Sequence, residues 1–545
     1  SSDRKDIVMI QNFVTTLYNN YSSFRNNKIS ESYNDQGMYF ELTFHIGYSI
    51  WITFIVLTGC SIIKRYWKSK TEGKKYPYNI PGPKALPVFG TRWIYSRFGF
   101  YNLNKIHEAY KDLFQRYGNV VKEEALWNIP VISIVDKDSI EKVLKQSGKY
   151  PFRPPNEVTA YYRKSRPDRY TNLGLVNEQG EVWHHLRLTL TPELTSNKTM
   201  KHFLPELTMV TEDFLRLIHT SRNSDNLVID FEQLCNRLGL ESTCTLVLGK
   251  RFGFLQESNV DPMGKTLADA IRGQFCASRD TFYGLPLWKV FSTPAYKQFI
   301  HCEDTIYDII SVLVENAIQE DAELCAVDNV HRVFKSILLA PSLDIRDKKA
   351  AIIDFIAAGI KTLGNTLVFL LYLVAKHPDV QKKLYQEIQN IISANGTITM
   401  DNLRGAVYLR SCIMEAFRLL PTTTCVARIL EQKTDINGFN LPPGSVVLCH
   451  TWLACLKESN FEKAAEFLPE RWLDDVNHKF SCLVIPFGYG RRMCPGKRFV
   501  ELELQVVLAQ IIQNYEIDFN GELELEFEFL LAPAPNTNFI FRNRL

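Results

Sequence analysis

The sequence lacks the cysteine spacing that a zinc site or a disulfide framework requires. Its 12 cysteines are scattered singly over 545 residues without a C-x-x-C pair, which argues against both and favours a reducing compartment. The net charge is only +3, and no basic stripe with interleaved aromatic residues occurs, so nothing indicates binding to nucleic acid. Internal repeats and low-complexity tracts are missing as well, which argues against a repeat architecture.

What is present is a large apolar content, with 46% hydrophobic and 12% aromatic residues, sufficient for a very large core. Helical periodicity dominates from residue 101 to the end, with short strand-like pieces near both ends of this region. The pattern predicts strands over 120–124 and 131–135 and helices over 205–218, 228–248 and 350–376. We therefore expect a mainly α protein with a minor β region, folded as one large helical domain.

The N-terminal part contains an apolar run of 22 residues, 42–63, followed by the basic residues Lys64, Arg65, Lys68 and Lys70. At about 1.5 Å per residue the run can cross a bilayer, and the basic residues favour a cytoplasmic location for the remainder of the chain. The alternative is a buried core helix. We expect an unstructured or spurious extension over 1–37, a hydrophobic anchor with a basic linker over 38–75, and the main domain over 76–545.

A glycine-rich turn over 487–496 places Cys494 just before a helix-forming run. A thiolate there would lie at a helix N-terminus, where unpaired N–H groups and the helix dipole stabilise negative charge. The glycines allow close approach to a flat ligand, and Arg492 can neutralise an anion. The alternative is a small buried cysteine without a function.

The spacing F-x-x-G-x-R-x-C-x-G resembles the haem-binding loop of the cytochrome P450 family, the haem-thiolate monooxygenases. The resemblance implies a single large helical domain around a buried haem b, iron protoporphyrin IX. It implies that Cys494 is the iron ligand and that Phe487, Arg492 and Gly496 contact the cofactor. Since the thiolate pushes electron density towards the iron, the implied reaction is insertion of one oxygen atom from O2 into a substrate.

Two further motifs supply hydrogen-bond donors. Trp183 and Arg187 lie four residues apart and share a helix face, and in the family such a pair binds a haem propionate. Arg428, by the same resemblance, reaches a propionate as well. The alternatives are a Trp–Arg stack on a helix surface and an ordinary surface arginine.

The segment Ala358, Gly359, Ile360, Lys361, Thr362 lies in the predicted helix 350–376. Small residues in mid-helix permit close approach by a flat ligand, so Ala358 and Gly359 are predicted cofactor contacts. The segment resembles the family's distal helix, which implies that the Thr362 hydroxyl passes protons to dioxygen. Lys361 replaces the acid usual at its position, which puts the usual proton route in doubt. The alternative for Thr362 is a hydroxyl bonded back to a carbonyl one turn earlier.

Glu415 and Arg418 form an E-x-x-R pair on one helix face. The resemblance adds Arg471 as the third member of a buried triad. Its implied role is structural, holding the proximal side of the haem in place.

Basic residues next to the cysteine indicate an acidic electron donor. The implied donor surface comprises Arg410, Arg491, Lys497 and Arg498. Lys497 and Arg498 resemble the mitochondrial branch, whose donor is a ferredoxin with its reductase, although Met414 departs from that branch. The anchor-like N-terminus instead resembles members of the endoplasmic reticulum, which use a flavoprotein reductase. We expect a membrane-associated protein, in the mitochondrial inner membrane, the endoplasmic reticulum or both.

Several stretches resemble an arthropod group of the family that acts on ecdysteroid hormones, namely 165–170, 174–180, 190–196 and 358–366. This implies a steroid substrate, ecdysone, hydroxylated by O2 at carbon 20 of its side chain. Thr422, Thr423 and Thr424 can offer hydroxyls to such a sterol, although threonine loops are common without that reason. Two alternatives remain: a haem-thiolate isomerase or dehydratase without a redox partner, and a non-catalytic haem or sterol-binding protein.

Overall fold

The computed structural model describes residues 79–256, 262–323, 332–391, 398–473 and 482–544. The predicted extension over 1–37 and the predicted anchor run 42–63 lie outside these residues. The described residues within 79–286 and 293–544 form one compact unit, to which the short segment 287–292 does not belong.

The compact unit is mainly helical, as the sequence predicted. Its α-helices are α1 Ile106–Tyr117, α2 Lys137–Lys145, α3 Glu157–Ser165, α4 Gly174–Asn177, α5 Gly180–Leu190, α6 Asn197–Ser221, α7 Phe231–Leu248, α8 Pro262–Tyr283, α9 Pro294–Glu323, α10 Arg332–Leu338, α11 Ile345–Ala375, α12 Pro378–Ile391, α13 Met400–Gly405, α14 Val407–Leu419, α15 Thr451–Cys455 and α16 Lys497–Asn514.

The strands are short and form a minor part of the structure. They are β1 Val120–Glu124, β2 Pro130–Ile134, β3 Leu227–Val228, β4 Val426–Ile429, β5 Thr434–Ile436, β6 Phe439–Leu441, β7 Val446–Cys449, β8 Tyr515–Phe519, β9 Leu525–Phe527, β10 Leu531–Pro533 and β11 Phe539–Asn543. The largest sheet has the order β1-β2-β7-β4, and a three-stranded sheet has the order β3-β11-β8.

The predicted elements are present with shifted ends. The first predicted strand coincides with β1, and the second begins one residue early as β2. The helix predicted from Val228 begins only at Phe231, because Val228 pairs with Phe539 of β11 as part of β3. Long-range strand pairing therefore decides this boundary, which helical periodicity alone cannot locate.

Helix α11 runs through the core and packs closely on α7. A Cβ on Gly239 of α7 would lie 3.0 Å from the carbonyl oxygens of Gly359 and Ile360, and one on Gly364 would lie 2.5 Å from the Asn236 side chain. The two helices can approach so closely only because these positions lack a side chain. α11 is apolar and long enough to cross a membrane, but most of it is buried inside the protein.

The core contains a buried carboxyl group whose ionisation affects the stability of the protein. Glu503 on α16 is 1% exposed. Burial raises the pKa of its carboxyl to about 8, and the neighbouring Ser242 hydroxyl offsets only part of this effect. The folded protein therefore holds a proton at Glu503 that the unfolded chain releases near pH 4.3.

We expect Glu503→Gln to stabilise the protein at pH 8 and to have little effect at pH 5. Between about pH 4.3 and 8 the native carboxyl retains its proton while the unfolded one ionises, so the free energy of unfolding falls by up to about 1.4 kcal/mol per pH unit. Glutamine removes this dependence. Urea unfolding at both pH values measures it, with exposed Glu212→Gln as the control. An equal effect of Glu503→Gln at both pH values contradicts the assignment.

Candidate active site

The loop before α16 is folded so that the Cys494 sulfur lies at the N-terminus of this helix. Gly488 and Gly490 have φ angles of +78° and +68°, which residues with a Cβ rarely adopt. These turns let the backbone N–H of Cys494 donate to the carbonyl of Phe487 at 2.8 Å. Gly496 is the N-cap residue of α16, and a Cβ built on it would lie 3.8 Å from the sulfur.

Opposing effects set the pKa of the Cys494 thiol. Part of the side chain is accessible, but protein surrounds the sulfur on most sides. This burial raises the pKa, whereas the backbone N–H groups of Gly496 and Lys497 and the charge of Arg187 lower it. The helix N-terminus therefore favours the thiolate, as the sequence predicted, but desolvation is the larger effect on the pKa. A metal cation reverses this balance, since a coordinating thiol is deprotonated outright.

Arg492, two residues before the cysteine, lies among other buried groups. Its guanidinium is 3.9 Å from the centre of the Trp183 ring. Its Nε donates to the carbonyl of Pro151 at 2.9 Å, and its Nη2 donates to that of Glu178 at 2.7 Å. Its Nη1 is buried without a hydrogen-bond partner among the described residues. A buried guanidinium N–H needs an acceptor, and here the described protein atoms do not supply one.

Three more arginines, Arg153, Arg187 and Arg428, lie close to Arg492. Burial and then their repulsion lower the pKa of Arg492 to about 9. Burial and then repulsion by Arg428 lower the pKa of Arg153 to about 10. Arg428 donates to the carbonyl of Tyr489 at 2.9 Å, and its buried Nε has no partner within the described ranges. Such a group of cations fits an anionic ligand with more than one carboxylate.

Arg153 was not among the residues predicted to bind an anionic cofactor. It lies in the loop before α3, and its Nε donates to the carbonyl of Val176 in α4 at 3.0 Å. No spacing motif marks it, because its position depends on how this loop folds back onto α4.

The middle of α11 has an open face. Ala358 is exposed and Phe355 and Thr362 are half-buried, although many neighbouring residues of the helix are buried. The Thr362 hydroxyl donates to the carbonyl of Ala358 at 2.6 Å, so the back-bonded arrangement considered from the sequence does occur. The hydroxyl oxygen keeps its lone pairs and can still accept a hydrogen bond.

The prediction for Gly359 requires a correction. A Cβ at this position would lie 2.1 Å from the Thr243 hydroxyl oxygen of α7. The missing side chain therefore makes room for the neighbouring helix. Of the two predicted cofactor contacts, Ala358 and Gly359, it is Ala358 that lies on the open face of α11.

Lys361 does not share the open face of α11 with Ala358. Its side chain is 3% exposed, and its ammonium group pairs with the carboxylate of Glu232 at the start of α7. It also lies 3.8 Å from the carboxylate of Glu528, between β9 and β10. The lysine is thus held in a buried ion cluster, and Glu232 and Glu528 are residues that no sequence motif indicated.

The structure brings Glu415, Arg418 and Arg471 together. The Glu415 carboxylate accepts from Nη2 and Nε of Arg418 at 2.8 and 2.9 Å, and from Nε of Arg471 at 2.9 Å. Two further donors, the Trp472 indole at 2.8 Å and the Leu468 backbone N–H at 3.0 Å, complete its shell. Glu415 and Arg418 are both fully buried.

The four predicted donor-surface residues have different surroundings. Arg491 is exposed, whereas Lys497 pairs with Glu501 at 3.7 Å and Arg498 donates to the carbonyl of Thr195. Arg410 donates to two carbonyls at the end of α13, each at 2.6 Å. Its guanidinium is therefore engaged in capping a helix, which leaves it a weaker candidate for partner binding.

Comparison with known proteins identifies the family. The model of the family described as cytochrome P450 matches residues 80–541. The chain is 45% identical over 470 residues to ecdysone 20-monooxygenase of Drosophila melanogaster, covering 84% of this chain and 87% of that protein. It is 30% identical over 480 residues to cytochrome P450 302a1, mitochondrial, of the same species, covering 86% and 96%. It is also 28% identical to cytochrome P450 10 of Lymnaea stagnalis over 85% of each.

The chain belongs to the cytochrome P450 family, whose cofactor is a haem with thiolate-ligated iron. Two observations show that the chain fits this group. One sulfur lies at a helix N-terminus beside two backbone N–H groups, and buried guanidinium atoms of Arg428 and Arg492 lack partners among the described residues. The iron of a haem would bind the sulfur as a thiolate, and its two propionates would accept hydrogen bonds from these guanidinium groups. The predicted mainly α fold and haem cofactor are thereby confirmed.

We expect Arg418→Met to lower the free energy of unfolding by about 3–5 kcal/mol, because it leaves the buried Glu415 with only one cationic partner. Urea unfolding of the holoprotein and the Soret absorbance per mole of protein measure the effect. Lys463→Met is the control, since it breaks only the exposed pair with Glu466 at 3.9 Å and should change stability by at most about 1 kcal/mol. Similar losses in the two variants would rule out the structural role of the triad.

Proposed function

We propose that the protein hydroxylates ecdysone at carbon 20, using O2, two electrons from a protein donor and two protons, and so forms 20-hydroxyecdysone and water. The observation that carries this proposal is the 45% identity to ecdysone 20-monooxygenase over most of both chains. The fit of the Cys494 loop to a haem thiolate supports the oxygen-inserting chemistry, and the similarity supports the substrate.

The bound haem supplies oxygen activation and insertion of the oxygen atom. The residues of this chain have separate tasks in the proposal. Cys494 provides the sulfur ligand, and the N–H groups of Gly496 and Lys497 donate to it. Trp183 and four buried or half-buried arginines, Arg153, Arg187, Arg428 and Arg492, hold and neutralise the propionates. Phe487, the first residue of the ligand loop, lies edge-on to Phe417 at 5.4 Å.

Thr362, on the open face of α11, is the residue that we propose helps to deliver protons for oxygen activation. Because its hydroxyl donates to the Ala358 carbonyl, its oxygen can accept a hydrogen bond from a water molecule and so position the water that supplies the proton. Lys361, which points into the ion cluster with Glu232, does not compete for this position.

The proposed electron donor is a ferredoxin with its reductase, which favours the mitochondrial inner membrane. Several relatives carry the word mitochondrial in their names, and Arg491, Lys497 and Arg498 lie within one short stretch at the start of α16. A flavoprotein reductase and the endoplasmic reticulum are the alternative pairing, supported by the apolar run and basic residues before the domain.

Turnover of ecdysone tests the proposal directly. The purified protein with a ferredoxin, its reductase and NADPH should convert ecdysone to a product that co-elutes with 20-hydroxyecdysone. Cys494→Ser should abolish both this product and the thiolate-type Soret band of the reduced carbon monoxide complex. Cys412→Ser, a change at a buried cysteine of α14, serves as the control and should keep the Soret band. A thiolate-type spectrum without any ecdysone product from either donor system overturns the substrate while leaving the family intact.

The choice of donor is tested by reversing a charge at Arg491. Arg491→Glu should raise the KM for ferredoxin about tenfold at low salt and less at high salt, because a basic patch steers an acidic partner through screened charges. The kcat at saturating ferredoxin should change little. Exposed Lys433→Glu is the control with the same charge change. An unchanged KM for ferredoxin would contradict the role of Arg491, and turnover supported only by the flavoprotein reductase points to the alternative donor.

A further inference from the structure

The turn between β9 and β10 is unusually constrained. It contains Glu528, Phe529 and Leu530, and the backbone N–H of Glu528 donates to the carbonyl of Leu530 at 2.8 Å. Phe529 has a φ angle of +83°, which a bulky residue adopts only when the surroundings hold it there. The side chains of Phe529 and Leu530 remain half-buried.

Charged side chains from two helices hold this turn at Glu528. Its carboxyl is 2% exposed, lies 2.5 Å from Nε of Arg272 on α8 and 3.8 Å from Nζ of Lys361 on α11. Lys361 is in turn paired with Glu232 at the start of α7. The cluster thus connects three helices and the turn, and its members Lys361, Glu232 and Glu528 are buried, whereas Arg272 is partly exposed.

Two hydrogen bonds hold the same hairpin on either side of the turn. Nη1 of Arg279 on α8 donates to the carbonyl of Phe527 at 2.9 Å. Nδ2 of Asn365 on α11 donates to the carbonyl of Leu531 at 3.3 Å. Since Asn365 and Lys361 flank Thr362 along the helix, the turn is attached to the part of α11 that carries the proposed proton donor.

The hairpin also contacts the loop after α14. The backbone N–H of Leu531 donates to the carbonyl of Thr422 at 2.8 Å, the first of three threonines considered as partners for sterol hydroxyls. The turn therefore lies between the part of α11 near Thr362 and the threonine loop that the sequence suggested as a partner for sterol hydroxyls.

We propose that Lys361 and Glu528 are positioning residues that fix the β9–β10 turn against α11 and thereby pre-organise the binding site for the steroid. This inference rests on the proposed function for its substrate. Buried ion pairs add little net stability, because desolvation offsets their attraction, but they are costly to leave half-paired. They are thus better suited to fixing one position of the turn than to stabilising the fold.

Two variants separate positioning from stability. Lys361→Met keeps an apolar stem of similar length but leaves Glu232 buried without its cation, so we expect a lower melting temperature. The double variant Lys361→Met/Glu232→Gln removes that stranded charge, so its melting temperature should recover most of the loss. In both variants Glu528 keeps Arg272 but loses its connection to α11.

We expect both variants to bind ecdysone about tenfold more weakly in the Soret binding titration, the change expected when the competent position of the turn falls to roughly one molecule in ten. Amide hydrogen exchange over residues 525–533 should be faster in both. Glu241→Gln is the matched control, because this buried carboxylate accepts from the backbone N–H groups of Phe252 and Phe254. It should lower stability without changing ecdysone affinity or exchange in the hairpin.

Recovery of ecdysone affinity together with stability in the double variant would overturn the proposal, as would unchanged hydrogen exchange over 525–533. Failure of the unmodified protein to bind ecdysone is a different result. It contradicts the proposed substrate, while the exchange comparison still decides whether Lys361 and Glu528 hold the turn.

Discussion

The carboxylate of Glu415 is the buried interaction that anchors α14, the helix that packs on the start of the Cys494 loop. It is fully buried and accepts hydrogen bonds from Arg418 and Arg471 and from the Trp472 indole. A buried carboxylate requires this complete shell, because any missing donor leaves charge in a medium of low dielectric. Glu415 thus ties α14 to the segment around residue 470, and the same helix carries Phe417, which packs on Phe487 at the start of the ligand loop.

A second constraint is the excess of buried positive charge around Arg492. Burial and mutual repulsion lower the pKa values of Arg492 and Arg153, so the protein alone holds these groups at a cost. The arrangement is favourable once an anionic cofactor shares the space, since charge-assisted hydrogen bonds are then formed. The same reasoning applies to the Cys494 thiol, whose pKa burial raises and a metal lowers. Cofactor binding and the stability of this region are therefore coupled.

Lys361 departs from the family pattern, but its surroundings in the structure differ from those that its place in the sequence indicated. In the sequence it stands beside Thr362 where an acid is usual, and that position points to proton transfer. In the structure the two side chains leave α11 in different directions, one towards Glu232 and Glu528 and the other onto the open face. Adjacent residues on a helix differ by about 100° in direction, which is why neighbours in sequence need not share a function.

The amino-acid sequence was enough to establish the mainly helical class and the position of the sulfur, because local glycine chemistry and helical periodicity are properties of short segments. It also predicted the triad of Glu415, Arg418 and Arg471. The folded chain was needed to show which groups meet across long separations: the fourth arginine, Arg153, the role of Gly359 in helix packing, and the ion cluster around Lys361. These contacts depend on how loops and helices far apart in the chain come together, which no local pattern encodes.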